Sequence, residues 1–243
     1  MTGFTQRPLK LIERRFLAEM PLRISALRSL GAYHNVFSTE SFMDELATAA
    51  GADPVEFRLN HLDDQRGREV IEKAAQAFGW QKGQRAPPDR GYGFAFARYK
   101  NLAAYCAIAS EVEVNRQTGR PRLVRAVAAV DSGQVVNPDG LINQIEGAIL
   151  QSMSWTLYES VSFDDTRITS IDWQTYPILR FDAVPERVDV HIINRPGQPF
   201  LGSGETGQGP AAASIANAIA DATGKRLRDL PLTRKRIKDA IDA

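Results

Sequence analysis

Cysteine is nearly absent from this sequence, which contains only Cys106 among its 243 residues. One cysteine excludes an internal disulfide and any zinc or iron–sulfur site built from several cysteines of this chain. Cys106 lies in the apolar stretch 103–109, so we expect a buried thiol. The three histidines, His34, His61 and His191, lie too far apart to form a metal-binding motif. The sequence therefore indicates no metal site made of protein ligands.

Long apolar runs and a strong excess of one charge are also lacking. No stretch approaches the roughly 20 apolar residues that span a bilayer, and the first residues lack the apolar core of a signal peptide. We therefore expect a cytoplasmic protein, or a periplasmic one if a signal lies on another segment. The formal net charge of +1 gives no electrostatic reason to expect a nucleic-acid partner. The composition, 43% hydrophobic and 24% charged, is that of an ordinary globular protein.

Helical signals dominate the first eighty residues. Residues 1–35 show no sustained period, and Ser38 is then a suitable N-cap for a first helix that ends at Gly51. Pro54 follows an aspartate and favours the start of a second helix. A third helix is predicted over residues 66–78, with a glycine directly after it.

A loop rich in glycine and proline, residues 81–90, marks a change in the chain. It divides the sequence into a helical segment, residues 1–80, and an α+β domain, residues 81–243. The strands follow one another and the helices are grouped, which predicts an α+β fold with a mixed, largely antiparallel sheet. The predicted strands cover residues 91–99, 104–115, 121–130 and 188–193, with a short hairpin at 164–165 and helices over 141–158 and 211–222.

The richest loop of the sequence is Gly202-Ser-Gly-Glu-Thr-Gly-Gln-Gly-Pro, directly before the second of these helices. It is not a P-loop, because Gln-Gly stands where that motif needs Lys and Ser or Thr. Gly202, Gly204 and Gly207 satisfy the spacing of a dinucleotide-binding fingerprint, but a loop and not a strand precedes them. A structural glycine turn that caps the helix is the simpler alternative.

Glu205 distinguishes this loop from a plain turn. A carboxylate between glycines at a helix N-terminus is a usable base, since the helix dipole favours its ionised form and burial opposes it. On the predicted helix 141–158, Gln144, Gly147, Ala148 and Gln151 share one face, which suits a polar heterocycle or close helix packing. Arg28 is a candidate to hold an anion.

Five motifs occur in one order: Arg28-Ser-Leu-Gly, Glu111-Val-Glu-Val-Asn, Asn137-Pro, Gln144-Ile-Glu-Gly and Gly204-Glu-Thr-Gly. Together they resemble the molybdopterin-binding large subunits of xanthine-oxidase-type molybdenum hydroxylases, from about residue 20 to the C-terminal part. The segments that begin at Arg98 and Tyr176 look most like large subunits of nicotinate dehydrogenases and isoquinoline oxidoreductases.

The resemblance implies hydroxylation of an N-heteroaromatic ring or an aldehyde with water as the oxygen source. Glu205 would be the catalytic base, and Leu30 would lie near the substrate. The cofactor would be molybdopterin in its cytosine dinucleotide form, with molybdenum held by the pterin dithiolene and not by the protein. The residues expected to bind the cofactor are Arg28, Gln144, Gly202, Ser203, Gly204, Thr206 and Gly207.

Two segments typical of the family, a glycine–glutamine segment and a pterin loop, are not found in this sequence. We therefore expect as partners the N-terminal half of the molybdopterin subunit and a 2Fe–2S subunit, with haem or FAD on partner chains, and a homo-oligomer stays open. The alternative is a non-catalytic fragment or paralogue that serves as a subunit-interaction module; the presence of Glu205 favours the enzyme. Alone, the chain should lack molybdopterin and expose an apolar patch of Leu27, Leu30, Phe37, Phe200 and Leu201.

Overall fold

Six helices and four strands make up the part of the chain that the computed structural model describes, which is Glu13, Arg15, residues 19–22 and residues 26–243. Most of the predicted irregular segment 1–35 lies outside these residues. None of the helices in the described ranges has the length and apolarity needed to cross a membrane. The elements are α1 (Ala32–Ala49), α2 (Pro54–Asn60), α3 (Gln65–Phe78), β1 (Arg90–Arg98), β2 (Tyr105–Asn115), β3 (Arg120–Asp131), α4 (Pro138–Leu157), β4 (Arg187–Ile192), α5 (Gln208–Thr223) and α6 (Arg234–Asp242).

The four strands form one sheet in the order β1-β2-β3-β4. β1 pairs with β2 and β2 with β3 in antiparallel fashion, as expected for strands joined by short turns. β4 runs parallel to β3, because α4 and the long connection after it return the chain to the end of the sheet at which β3 begins. The predicted α+β fold with a mixed, largely antiparallel sheet is confirmed.

Helices cover both faces of the sheet. One core lies between the sheet and helices α4 and α5, and it includes Ile108, Leu123 and Ile215. The second lies between the opposite face and α3, and it includes Ile71 and Phe96. Because both faces are covered, the middle of β2 is apolar without alternation, and Cys106 is buried as predicted.

Helix α5 packs unusually close to β1. A Cβ atom added at Gly93 would lie 2.0 Å from the carbonyl oxygen of Ser214, and one added at Gly91 would lie 2.0 Å from that of Ala218. Glycine is therefore required at both positions, since any side chain would push the helix away from the strand. This contact fixes the position of α5, and with it the loop that precedes the helix, relative to β1.

Three helices begin earlier than the sequence predicts. Helix α1 begins at Ala32, not at Ser38, and its N-cap residue Gly31 makes no side-chain cap. The chain turns into α1 through Ser29 and Leu30, which are in the left-handed region with φ of 73° and 49°, and no sequence rule signals such a turn. Helix α5 begins at Gln208 and helix α4 at Pro138, each three residues before its predicted start.

The remaining boundaries agree more closely with the sequence. Helix α2 begins at Pro54 as predicted, and the carboxylate of Asp53 caps it by accepting from two backbone amides; Asn137 caps α4. The predicted hairpin at residues 164–165 is reduced to one isolated bridge between Phe163 and Ile168. The division of the chain at residues 81–90 into two domains stays a prediction.

Candidate functional site

Arg28 joins three parts of the molecule at the glycine-rich loop. Its Nε donates to the carbonyl oxygen of Gly204 at 2.6 Å. One terminal nitrogen donates to the side-chain oxygen of Gln144 at 2.8 Å, and the other to that of Gln151 at 3.3 Å. The guanidinium therefore connects the turn before α1, the exposed face of α4 and the loop before α5.

The predicted face of α4 is only partly confirmed as an exposed polar surface. Gln144 and Gln151 are exposed and lie beside Arg28, as their spacing on a helix requires. Ala148 is fully buried, and it lies under the loop, where a Cβ atom on Gly207 would come within 2.9 Å of it. Both interpretations of this helix face therefore apply, with two amides at the surface and small residues that allow close packing.

Both carboxylate oxygens of Glu205 are held by hydrogen bonds. The backbone N–H of Ser29 donates to Oε1 at 2.8 Å, and the hydroxyl of Tyr99 donates to Oε2 at 2.8 Å. The Ser29 hydroxyl also donates to the backbone carbonyl of Glu205 at 3.1 Å. The carboxylate is therefore fixed between the turn before α1 and the end of β1.

The surroundings of Glu205 favour its ionised form. The hydrogen bond from the Ser29 amide lowers the pKa of Glu205 below its usual value, and burial opposes this effect. The Tyr99 hydroxyl and the positive charges of Lys100 and Arg28 lower the pKa further. In the described structure the carboxylate is therefore an anion at neutral pH, so the side chain is free to accept a proton.

The loop before α5 presents backbone donors that the described residues do not use. The amides of Gly202, Ser203, Gly204 and Glu205 donate to no other described residue. Gly202 and Gly204 are exposed, whereas Thr206 and Gly207 are buried beneath them. The upper part of the loop can therefore donate to a bound molecule, while its lower part packs against the body of the protein.

A cavity of about 210 Å³ is lined by Ser29 and Tyr99, the two residues whose N–H and O–H groups hold the Glu205 carboxylate. Its lining includes Leu30, Tyr99, Lys100 and Thr206. Leu30, the predicted substrate contact, is 44% exposed and contributes to the rim of this cavity. The cavity therefore brings together an apolar, an aromatic and a cationic residue, next to the residues that hold Glu205.

The predicted apolar patch is partly wrong. Leu27 and Phe200 are 67% and 77% exposed, as expected. Phe37 is only 6% exposed because it lies on the inner face of α1, which begins earlier than the sequence predicts. Leu201 packs against the core on the α3 side of the sheet. The exposed patch near the site is therefore smaller than predicted.

Tyr99 is a residue of the site that the sequence does not single out. It lies 106 residues before Glu205, and the two meet only because β1 and α5 are in contact. Its sequence signals are its place at the end of a predicted strand and in the segment that begins at Arg98, which resembles the nicotinate dehydrogenases. These signals are too general to select it.

Comparison with known proteins identifies the family. A family model described as a molybdopterin cofactor-binding domain matches residues 31–185, which is more than half of the chain. The chain belongs to this molybdopterin-binding family. The resemblance inferred from the ordered motifs is thus confirmed, and the matched region includes Gln144 and Tyr99 but ends before the Glu205 loop.

Curated relatives of the molybdopterin-binding chain extend the match through that loop. The B subunit of nicotinate dehydrogenase from Pseudomonas putida is 43% identical over 233 residues, which cover 90% of this chain and 20% of the relative. The beta subunit of isoquinoline 1-oxidoreductase from Brevundimonas diminuta is 35% identical over 211 residues, covering 85% of this chain and 26% of the relative. The molybdopterin-binding chain thus spans a fifth to about a quarter of the length of these relatives.

A solved structure agrees with the fold. The aldehyde oxidoreductase of Desulfovibrio desulfuricans matches with a TM-score of 0.75 at 16% identity, over 88% of this chain and 41% of that chain. At this identity the match concerns the fold of the molybdopterin-binding chain and not its substrate.

Proposed function

We propose that this chain forms one wall of the active site of a molybdenum-dependent hydroxylase, with Glu205 as the catalytic base. The observation that carries the proposal is the anchored carboxylate of Glu205, fixed through both oxygens beside a loop with free backbone donors. A catalytic base must be held in position by its neighbours, and two hydrogen bonds meet this requirement for Glu205.

The chemistry of the loop fits a pterin cofactor. Neutral amide donors at Gly202, Ser203 and Gly204 suit the polar edge of a heterocycle or a phosphate, and the start of α5 adds a positive dipole. Exposed amide and guanidinium groups of Gln144 and Arg28 lie across the loop. We propose that these five residues contact the cofactor. The buried Thr206 and Gly207 would support the loop from below.

In this proposal Glu205 accepts a proton from the water-derived nucleophile as that nucleophile attacks the substrate carbon. The bound molybdenum cofactor supplies the oxidation–reduction chemistry of the reaction. Glu205 does not have to rotate to perform its role, because Ser29 and Tyr99 hold its oxygens in place. Leu30 lines the cavity next to it and would contact the apolar part of the substrate.

The lowered pKa of Glu205 keeps the base ionised but makes it weak. Covering the site removes water from around the carboxylate, and desolvation raises the pKa of a carboxyl group. We infer that Glu205 becomes a stronger base when the cofactor and the remaining segments of the enzyme close over it. The basicity of Glu205 would thus differ between the open wall formed by this chain and the closed site.

We further propose the finer features that the relatives suggest. An N-heteroaromatic substrate is favoured over an aldehyde, because the names of the relatives at 43% and 35% identity specify nicotinate and isoquinoline. Both relatives are subunits, which supports an N-terminal half of the molybdopterin subunit and a 2Fe–2S subunit as partners. The cytosine dinucleotide form of the pterin, haem or FAD on partner chains, and a cytoplasmic location belong to the same proposal.

The experiment that tests the proposal compares Glu205→Gln with Glu146→Gln in the assembled enzyme. Loss of a general base typically lowers turnover by about 10²-fold or more, and the amide preserves the shape of the side chain. Glu146 lies on α4 about 200° around the helix from Gln144, so it provides a control of equal charge change. We expect unchanged molybdenum content in both variants and a turnover loss only in Glu205→Gln. Near-normal turnover of a fully loaded Glu205→Gln enzyme would overturn the proposal.

A further inference from the structure

Strained backbone surrounds Glu205 on both sides. Five non-glycine residues with positive φ occur among the described residues, and Asp89 is the only one away from the site. Ser29 and Leu30 form the turn whose backbone N–H, at Ser29, donates to Glu205. Lys100 and Asn101, with φ of 50° and 59°, form the turn directly after Tyr99. Such conformations are unfavourable for non-glycine residues and cluster where the surrounding structure requires one geometry. Both turns that hold the carboxylate therefore contain unfavourable backbone conformations.

The surroundings of Tyr99 offer its hydroxyl one hydrogen-bond partner among the described residues. Its side chain is buried, and its hydroxyl hydrogen-bonds only to Glu205 among the described residues. The ammonium of Lys100 lies 5.2 Å from the centre of its ring. Burial, together with the hydrogen bond to Glu205 and the charge of Glu205, raises the pKa of Tyr99 to about 12. The phenol therefore remains protonated, and so remains a donor, across the physiological range.

We propose that Tyr99 is a positioning residue that fixes the orientation of the Glu205 carboxylate and holds it ionised. The inference rests on the proposed role of Glu205 as the base, and it assigns the role of Tyr99 in that chemistry. With Oε1 bound to a backbone amide and Oε2 bound to Tyr99, the carboxylate has one orientation. Without Tyr99, Oε2 would be free and the group could rotate about its last bond.

Three titratable or charged side chains face Glu205 from the elements around it, in the described part of the chain. Tyr99 and Lys100 approach from the end of β1, and Arg28 approaches from the turn before α1. Lys100 and Arg28 act through charge, whereas Tyr99 alone among the three donates a hydrogen bond to the carboxylate. Removal of the Tyr99 hydroxyl should therefore raise the pKa of Glu205 while both positive charges remain.

The test is a titration of Glu205 in the chain co-purified with the segments that complete its site. Carbon-13 NMR of glutamate labelled at the carboxyl carbon reports each pKa, and the signal lost in Glu205→Gln assigns Glu205. We expect Tyr99→Phe to raise the pKa of Glu205 toward its ordinary value, with the fold unchanged. An unchanged pKa in a folded Tyr99→Phe chain would overturn the inference.

Tyr105→Phe is the matched control. Tyr105 also donates from a phenol to a carboxylate, that of Asp64 at 2.9 Å, and burial also raises its pKa to about 12. Because this pair lies on the other face of the sheet, near the start of α3, its removal should leave the Glu205 titration unchanged. A shift of Glu205 in Tyr105→Phe as large as in Tyr99→Phe would mean a general loosening of the fold, and would also overturn the inference.

A second measurement keeps the hydroxyl of Tyr99, in case Tyr99→Phe does not fold. Incorporation of 3-fluorotyrosine makes every phenol a stronger hydrogen-bond donor, so the pKa of Glu205 should fall further. No response of Glu205 to fluorination would contradict the inference. In the assembled enzyme, Tyr99→Phe should lower kcat roughly tenfold with little change in KM, as expected for one hydrogen bond to a charged group.

Failure of this inference and failure of the proposed function can be told apart. The titration requires no cofactor and no turnover, so it reports on positioning even if Glu205 is not the base. If Glu205→Gln retains full turnover, the base assignment is wrong, while a pKa shift in Tyr99→Phe still establishes the Tyr99 contact. If turnover falls in Glu205→Gln but the pKa of Glu205 is unchanged in Tyr99→Phe, only the positioning role is wrong.

Discussion

Single residues at this site differ in how far the sequence identifies them. Glu205 and Arg28 belong to short motifs whose composition is unusual, so they can be selected from the sequence alone. The sequence suggests that Arg28 holds an anion, whereas in the folded chain it binds Gly204, Gln144 and Gln151. Tyr99 cannot be selected in this way, because its role depends on a contact between β1 and the α5 loop that only folding creates.

Asp131 carries the clearest pH dependence of stability away from the site. It is fully buried at the end of β3 and accepts hydrogen bonds from Arg66, Arg195 and the amide of Gly133. Burial alone would raise the pKa of Asp131, but these hydrogen bonds together hold it below its ordinary value. A carboxyl whose pKa is lowered by folding stabilises the native state above its unfolded pKa, and this contribution disappears as pH falls through the folded pKa.

We therefore expect Asp131→Asn to lower the free energy of unfolding at pH 7 by about 3 kcal/mol, since one partner of a buried ion pair is lost. The difference from the unchanged chain should begin to shrink as pH falls below about 3.9, the usual pKa of an unfolded aspartate, and should be lost below the folded pKa of Asp131, which is lower still. Urea unfolding at a series of pH values measures both effects. Asp165→Asn, at an exposed position, is the control. A difference that stays constant with pH would argue against this account of Asp131.

At the scale of elements, the strands and their turns are the most predictable part. Glutamate and valine alternate over residues 111–114 at the end of β2, and Thr-Gly follows at 118–119; this pattern and turn predict the β2–β3 hairpin to within a residue or two. The start of α1 is less predictable, because a left-handed turn at Ser29 and Leu30, and not a capping side chain, sets it. The parallel pairing of β4 depends on a connection of some thirty residues, for which the sequence gives no length rule.

The contact of α5 with β1 is the packing interaction that positions the site. The methyl group added by Gly93→Ala would lie 2.0 Å from the carbonyl oxygen of Ser214, so α5 must move. We expect a loss of about 3 kcal/mol or more, the upper range for overpacking, measured by thermal or urea unfolding. Gly147→Ala is the control: it lies inside α4 with only the end of Arg28 within 4.0 Å, and alanine favours a helix. Equal stability of both variants would contradict the proposed role of the contact.

Many large apolar side chains are exposed on the described part of the molecule. Phe181 is 96% exposed and Trp173 is 66% exposed, in the connection between α4 and β4. Leu27 and Phe200 add exposed apolar surface beside the site. Large exposed apolar areas usually mark interfaces, and the relatives continue for several times the length of this chain. The exposed apolar residues of the connection are Val161, Phe163, Ile168, Ile171, Trp173, Ile178, Phe181 and Val184.

We expect the chain alone to associate with itself or aggregate, and to contain no molybdopterin, because one wall cannot surround the cofactor. Co-expression with the segments that complete the molybdopterin subunit should yield a defined complex that contains molybdenum. Size-exclusion chromatography with light scattering, combined with metal analysis, tests both statements. A monodisperse monomer that purifies with stoichiometric molybdenum would contradict them and would mean that the described wall is sufficient.

The most direct test of the central claim is a single-turnover measurement of cofactor reduction by substrate in the assembled Glu205→Gln enzyme. Steady-state turnover also includes product release and electron transfer to partner centres, whereas the single-turnover rate isolates the step in which the base acts. The proposal predicts that this rate falls by about 10²-fold or more while molybdenum content and substrate affinity stay near those of the unchanged enzyme. A rate within a few-fold of the unchanged enzyme, with the cofactor fully loaded, would contradict the assignment of Glu205 as the base.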